Sequence, residues 1–96
     1  MVKLNWTFDN EYKTWETSVK AKDYLGEGYY KITLQPRPHY CDRGRWLLVI
    51  TSHGVSDLDC QEALSRYYFN IDYAKGEVES WANARDTVKN ASNECA

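Results

Sequence analysis

The chain reads as an α+β domain, an antiparallel β-sheet of about four to five strands packed against one C-terminal α-helix, and three observations predict it. Apolar and polar residues alternate from Val2 to Phe8 and again from Tyr12 to Ala21, the period of two that puts one face of a strand in a core. A β-branched and aromatic segment, Tyr29 to Leu34, and an apolar run, Trp46 to Thr51, add two further strands. From Asp72 the period lengthens to that of a helix, with Ala74, Val78, Trp81, Ala82 and Arg85 on one side.

The elements follow in chain order. Val2, Leu4, Trp6 and Phe8 line one side of the first strand, and Asp9-Asn10-Glu11 supplies a turn. In the second strand Trp15, Val19 and Ala21 face one way and Glu16, Lys20 and Lys22 the other, so that a hairpin register packs Trp6, Phe8, Trp15 and Val19 together. Leu25-Gly26-Glu27-Gly28 reads as a loop on its two glycines, and the third strand then turns Tyr30, Ile32 and Leu34 inward. Pro36 and Pro38 end it, opening a loop from about Gln35 to Gly44.

Trp46-Leu47-Leu48-Val49-Ile50-Thr51 has the continuous apolarity of a central strand covered on both faces. Asp57 or Asp59 is positioned to cap a short helix over Cys60 to Ser65, and Arg66-Tyr67-Tyr68-Phe69 is a last short strand. The helix takes Asn70 or Asp72 as its N-cap, turns Glu77, Glu79, Asn83 and Asp86 outward, and ends near Lys89. Residues 1–89 thus form one domain and 90–96 a frayed tail.

Composition limits the function classes. With 96 residues there is room for one core. The 15% aromatic content is that of a folding chain. The start has no apolar leader segment, and no stretch reaches the roughly 18 apolar residues of a membrane span, which gives the expectation of a cytoplasmic protein. Cys41, Cys60 and Cys95 fit free thiols in a reducing compartment better than a disulfide framework. The net charge of −2 divides unevenly: residues 1–53 hold eight Lys and Arg against six Asp and Glu, residues 54–96 four against eight. That balance excludes a strongly basic nucleic-acid binder while leaving room for a local basic patch.

Chemistry concentrates in Pro36-Arg37-Pro38-His39-Tyr40-Cys41-Asp42-Arg43-Gly44-Arg45. Arg37, Arg43 and Arg45 with His39 and Tyr40 make either a contact surface for phosphates, carboxylates or bases, through planar guanidinium donors, or a rigid inter-strand loop held by its own pairs. His39, Cys41, His53 and Cys60 lack the paired spacing of structural zinc sites, and neither a Cys41–His39 nucleophile nor an Asp57–Asp59 acid pair has a placed third group. There is no Gly-rich phosphate loop, Gly-x-Ser-x-Gly or His-Glu-x-x-His, so no cofactor, metal or catalytic residue is expected. Alternation along Tyr29-Tyr30 and Tyr67-Tyr68-Phe69 sends one ring of each pair to the opposite sheet face, and Tyr29 and Tyr68 are the expected exposed members. Tyr with Arg nearby is the composition of a protein interface core and equally of a base-stacking platform.

The string Pro38-His39-Tyr40-Cys41-Asp42-Arg43-Gly44-Arg45, with Arg66-Tyr67-Tyr68-Phe69 and Glu77-Val78-Glu79-Ser80-Trp81, resembles a group of small uncharacterised proteins encoded in phages and prophages of proteobacteria, over roughly residues 28–86. That group often carries Trp-Pro where this chain has Leu64-Ser65, and its N-terminal part is not matched. The resemblance implies a phage accessory protein in the bacterial cytoplasm. It would bind a host protein complex and inhibit a defence system in the manner of an anti-CRISPR, by analogy of class. The alternative is a small nucleic-acid-binding module using Lys20, Lys22, Lys31, the loop arginines and exposed tyrosines.

Overall fold

The computed structural model describes residues 3–37, 44–56 and 64–95, with side chains described at 3–37, 44–56, 64–89 and 91. Five strands form one antiparallel meander in the order β1-β2-β3-β4-β5: β1 (Thr7–Asp9), β2 (Thr14–Asp23), β3 (Gly26–Pro36), β4 (Trp46–His53) and β5 (Tyr67–Tyr68). Helices α1 (Ile71–Ala84) and α2 (Asp86–Cys95) follow. The predicted α+β arrangement of an antiparallel sheet with C-terminal helix is the one found.

Alternation decides which face of the sheet meets the helices. Trp15, Thr17, Val19 and Ala21 of β2 stand opposite Leu34, Ile32, Tyr30 and Gly28 of β3, and Leu34, Ile32 and Tyr30 stand opposite Leu48, Ile50 and Ser52 of β4. Most of these side chains are buried, and Ala74, Val78, Trp81 and Ala82 of α1 and Val88 of α2 close the core over them. Tyr30 is fully enclosed: its ring meets Trp81 edge-on at 5.4 Å and its hydroxyl lies 3.4 Å from Thr87 Oγ1. Burying an aromatic ring of this kind is worth roughly 1.5–3 kcal/mol in apolar area alone, provided its hydroxyl is partnered. The Thr17 hydroxyl is buried with no hydrogen-bond partner among the described residues.

At the β1 edge the expected aromatic cluster forms. Phe8 is in register with Trp15 at 4.9 Å between rings, and the Lys75 ammonium of α1 sits 3.3 Å from the Trp15 ring centre and 5.9 Å from that of Trp6. This cation over two indoles ties the helix to the sheet edge. Strand β1 covers only Thr14–Glu16 of β2, and α2 packs against β2.

Five expectations change, the first being that β1 is only Thr7–Asp9 where the alternation from Val2 to Phe8 predicted a longer strand. The glycines at 26 and 28 lie inside β3, which begins directly after a two-residue turn at Tyr24-Leu25, because Gly28 is needed where the backbone of β4 passes close by. Strand β4 is not covered on both faces: Leu48 and Ile50 are buried while Leu47 and Val49 on the other side are half-buried, and β3 holds the centre of the sheet. Continuous apolarity therefore marked a strand whose second face is only partly shielded by its neighbours. The helix ends earlier than Lys89, at Ala84, where Arg85 takes an extended conformation (φ −88°, ψ 130°) and donates its N–H to Ala82 O. A second helix then runs to Cys95 where a frayed tail was expected, with Val88 fully buried and Ala91 7% exposed. No Gly or Pro marks that break, since Ala84-Arg85-Asp86 reads as helix throughout.

Candidate binding surface

With the helices on one face, the opposite face of the sheet carries the other half of every strand. Across it run rows of cross-strand neighbours: Lys22 and Glu27; Lys20, Tyr29 and His53; Ser18, Lys31 and Thr51; Glu16, Thr33 and Val49; and, nearer β5, Gln35, Leu47 and Tyr67. Lys20, Tyr29, Lys31, Thr51 and His53 are exposed. The described helices lie on the core side, so this face is open to them.

Two features give the face its character. Tyr29 stacks on His53 with ring centres 4.8 Å apart and planes 12° from parallel, and Tyr29 is 43% exposed. The stack is placed by the register that sets Tyr29 opposite His53, and the imidazole Nε2 is held 3.1 Å from Thr51 Oγ1. A ring pair of this kind holds a part-exposed aromatic side chain in a fixed position at the surface. At the far end, Arg37 donates its N–H to Arg45 O (2.7 Å), which continues the β3–β4 pairing one step past Pro36 and Trp46. By alternation Arg37 and Arg45 belong to the open face, and both are exposed.

The charge on this face is of opposite sign to that of the chain. Lys20, Lys22, Lys31, Arg37 and Arg45 stand against Asp9, Glu16 and Glu27 on the open face, in a protein of net charge −2. One of the three acids is committed to a turn, for Asp9 Oδ1 accepts from Glu11 N (2.8 Å) and Tyr12 N (3.2 Å). The face is consequently a weakly cationic, aromatic-bearing plane on an acidic domain.

Of the residues singled out from the sequence, Tyr29, Arg37 and Arg45 lie on this one face, Tyr29 at one end of the β3–β4 pairing and the two arginines at the other. His39, Tyr40 and Arg43 lie outside the described residues, as do Cys41, Cys60, Asp57 and Asp59. Tyr68 is corrected: it is 6% exposed and belongs to the core, because its partner Trp46 is on the helix side of β4, and Tyr67 is the ring that turns to the open face. Burial, and then the charge of Glu77, raise the Tyr68 phenol above its ordinary value. His53 was missed as a surface residue; its signal is register alone, since only the pairing of β3 with β4 puts it beside Tyr29.

A second exposed aromatic pair, Phe69 and Tyr73, sits at the start of α1, where the Tyr73 hydroxyl donates to Glu77 and its pKa is raised by that bond. Among the described residues no group of three or more His, Cys, Asp or Glu could hold a metal ion, and no helix is long and apolar enough to cross a membrane. No protein-family model, curated protein or solved structure matches the chain.

Proposed function

We propose that the protein is a non-enzymatic accessory factor of a phage or related mobile element that binds a host defence complex and inhibits it, with the open sheet face as its working surface. The observation that carries the choice of surface is the Tyr29–His53 stack, flanked by Lys20 and Lys31 on a sheet face opposite the helices. Exposed rings and guanidinium groups supply the strongest contacts per residue in macromolecular interfaces, and a sheet holds them at fixed spacing. The setting is supplied by the resemblance of the Pro38–Arg45 and Arg66–Phe69 strings to phage and prophage proteins.

The test is a plating assay on hosts carrying defined defence systems. Expression of the chain raises the plating efficiency of a sensitive phage, and a Tyr29→Ala, Arg45→Glu double variant removes the effect while Asp72→Asn on α1 keeps it. If the wild-type chain protects phage against none of the systems, the inhibitor reading fails; if the open-face variant protects as well as wild type, the assignment of the surface fails. A small nucleic-acid-binding module is the second reading, favoured by the cations around the stacked rings.

A further inference from the structure

We propose that the open face holds an unpaired RNA strand, with a base on the Tyr29–His53 stack and the flanking phosphates on Lys20 and Lys31. This rests on the open face being the working surface and names what lies on it.

Three observations favour this occupant. The first is the stack itself, whose Tyr29 ring is 43% exposed: unpaired bases stack on exposed aromatic rings without regard to sequence, and a duplex cannot because its bases are already stacked. The second is charge. Five cations, Lys20, Lys22, Lys31, Arg37 and Arg45, share the face with three carboxylates, of which Asp9 is engaged in its turn and Glu27 lies opposite Lys22. A polyanion is complementary to that surplus on an otherwise acidic chain. Of what a defence complex can present to this face, an RNA strand fits better than a protein surface, because protein interface cores are depleted in Lys and Ser and this face is built around them.

The third observation is the row of hydroxyls beside the rings. Ser18 and Thr51 flank Lys31 one row from Tyr29 and His53, which is about 7 Å along the strands between backbones. Thr51 is exposed and its Oγ1 reaches back to within 3.1 Å of His53 Nε2, so a hydroxyl that can donate and accept is fixed at the edge of the stacked rings. A 2′-hydroxyl, itself donor and acceptor, is the group that can use it and that DNA lacks. From the Tyr29 row to Arg37 and Arg45 the face runs eight residues, about 26 Å, which is ample for a strand of the roughly four or more nucleotides that single-strand binders engage.

Fluorescence anisotropy with 5′-labelled octauridylate decides it, set against octathymidylate and an RNA duplex of equal length. Octauridylate binds at low salt, and log K falls against log salt with a slope of about −2, as expected for three neutralised phosphates, two on Lys20 and Lys31 and one at the Arg37–Arg45 end of the face. Tyr29→Ala weakens binding about tenfold or more, whereas Tyr29→Phe retains it. A Lys20→Ala, Lys31→Ala double variant flattens the slope to about −1 or less. Far-UV circular dichroism shows that each variant is folded.

Octathymidylate and duplex bind several-fold more weakly than octauridylate. The RNA assignment is overturned if octauridylate fails to bind at low salt, if Tyr29→Ala leaves binding unchanged, or if octathymidylate or duplex binds as tightly. A variant that loses phage protection while the wild-type chain binds no RNA keeps the working surface and rejects RNA as its occupant. The reverse, RNA binding without phage protection, rejects the inhibitor reading alone.

Discussion

Gly28 shows how one position can hold a surface in place. A Cβ there would run into the backbone oxygen of His53, the last residue of β4, and crowd Gly54 just after it, so the absence of a side chain permits the close approach that sets His53 against Tyr29. Backbone cannot swing aside as a long side chain does. Gly28→Ala is therefore expected to lower stability by about 1–3 kcal/mol, read from the urea midpoint, and to weaken any ligand of the open face along with it. At Tyr68 the residue-scale prediction concerns pH. Burial and Glu77 raise its pKa in the fold above the ordinary 10.0 that the unfolded chain retains. The native state thus holds the phenol proton in a range where the unfolded state releases it, so the contribution is whole below pH 10 and is lost as pH climbs through the folded value. Urea midpoints taken between about pH 9 and 11 should fall more steeply for wild type than for Tyr68→Phe; parallel curves would contradict the assignment.

The elements differ in how they are secured. Helix α1 begins where Asn70 Oδ1 accepts from Tyr73 N (3.0 Å), with Asp72 in the first turn, and the Asn70→Ala variant is expected to lose about 1 kcal/mol in thermal or urea unfolding. Gly76 works in the opposite sense. It lies on the exposed side of α1 with nothing within 4 Å of a Cβ, and Gly76→Ala should raise stability by about 0.5–1 kcal/mol. The β2–β3 hairpin is pinned by Asp23, whose Oδ1 accepts from Leu25 N at 2.9 Å and whose Oδ2 accepts from Ser56 N at 2.6 Å, joining the turn to the chain beyond β4. The strands and α1 were legible from period: Val19, Ala21, Tyr30, Ile32 and Leu34 alternate, and Ala74, Val78, Trp81 and Ala82 recur at helical spacing. The bounds were less so, since hydrogen-bond pairing carries a strand past its apolar residues, as at Gly26–Gly28.

For the molecule as a whole, α2 is the part that completes the core. Val88 is fully buried, Ala91 nearly so, and Thr87 reaches the hydroxyl of Tyr30 at the centre of the sheet. A chain ending at Arg85 is expected to unfold at lower urea concentration, by at least the roughly 1.5–3 kcal/mol of one buried aliphatic side chain, and Val88→Ala should reproduce part of the loss. The sequence by itself determined that a sheet faces a helix, that Tyr29 and Tyr30 part to opposite faces, and which side of β2 and β3 is apolar, because all three follow from periods of 2 and 3.6 residues. Tertiary structure alone decided which strand is central, that Tyr68 goes inward and Tyr67 outward, that the helix breaks at Arg85, and that Arg37, Arg45, Lys31 and the Tyr29–His53 stack share one plane. Those depend on pairing register between segments distant in sequence, and a register is chosen by the packing of the finished sheet rather than by any stretch of residues within it.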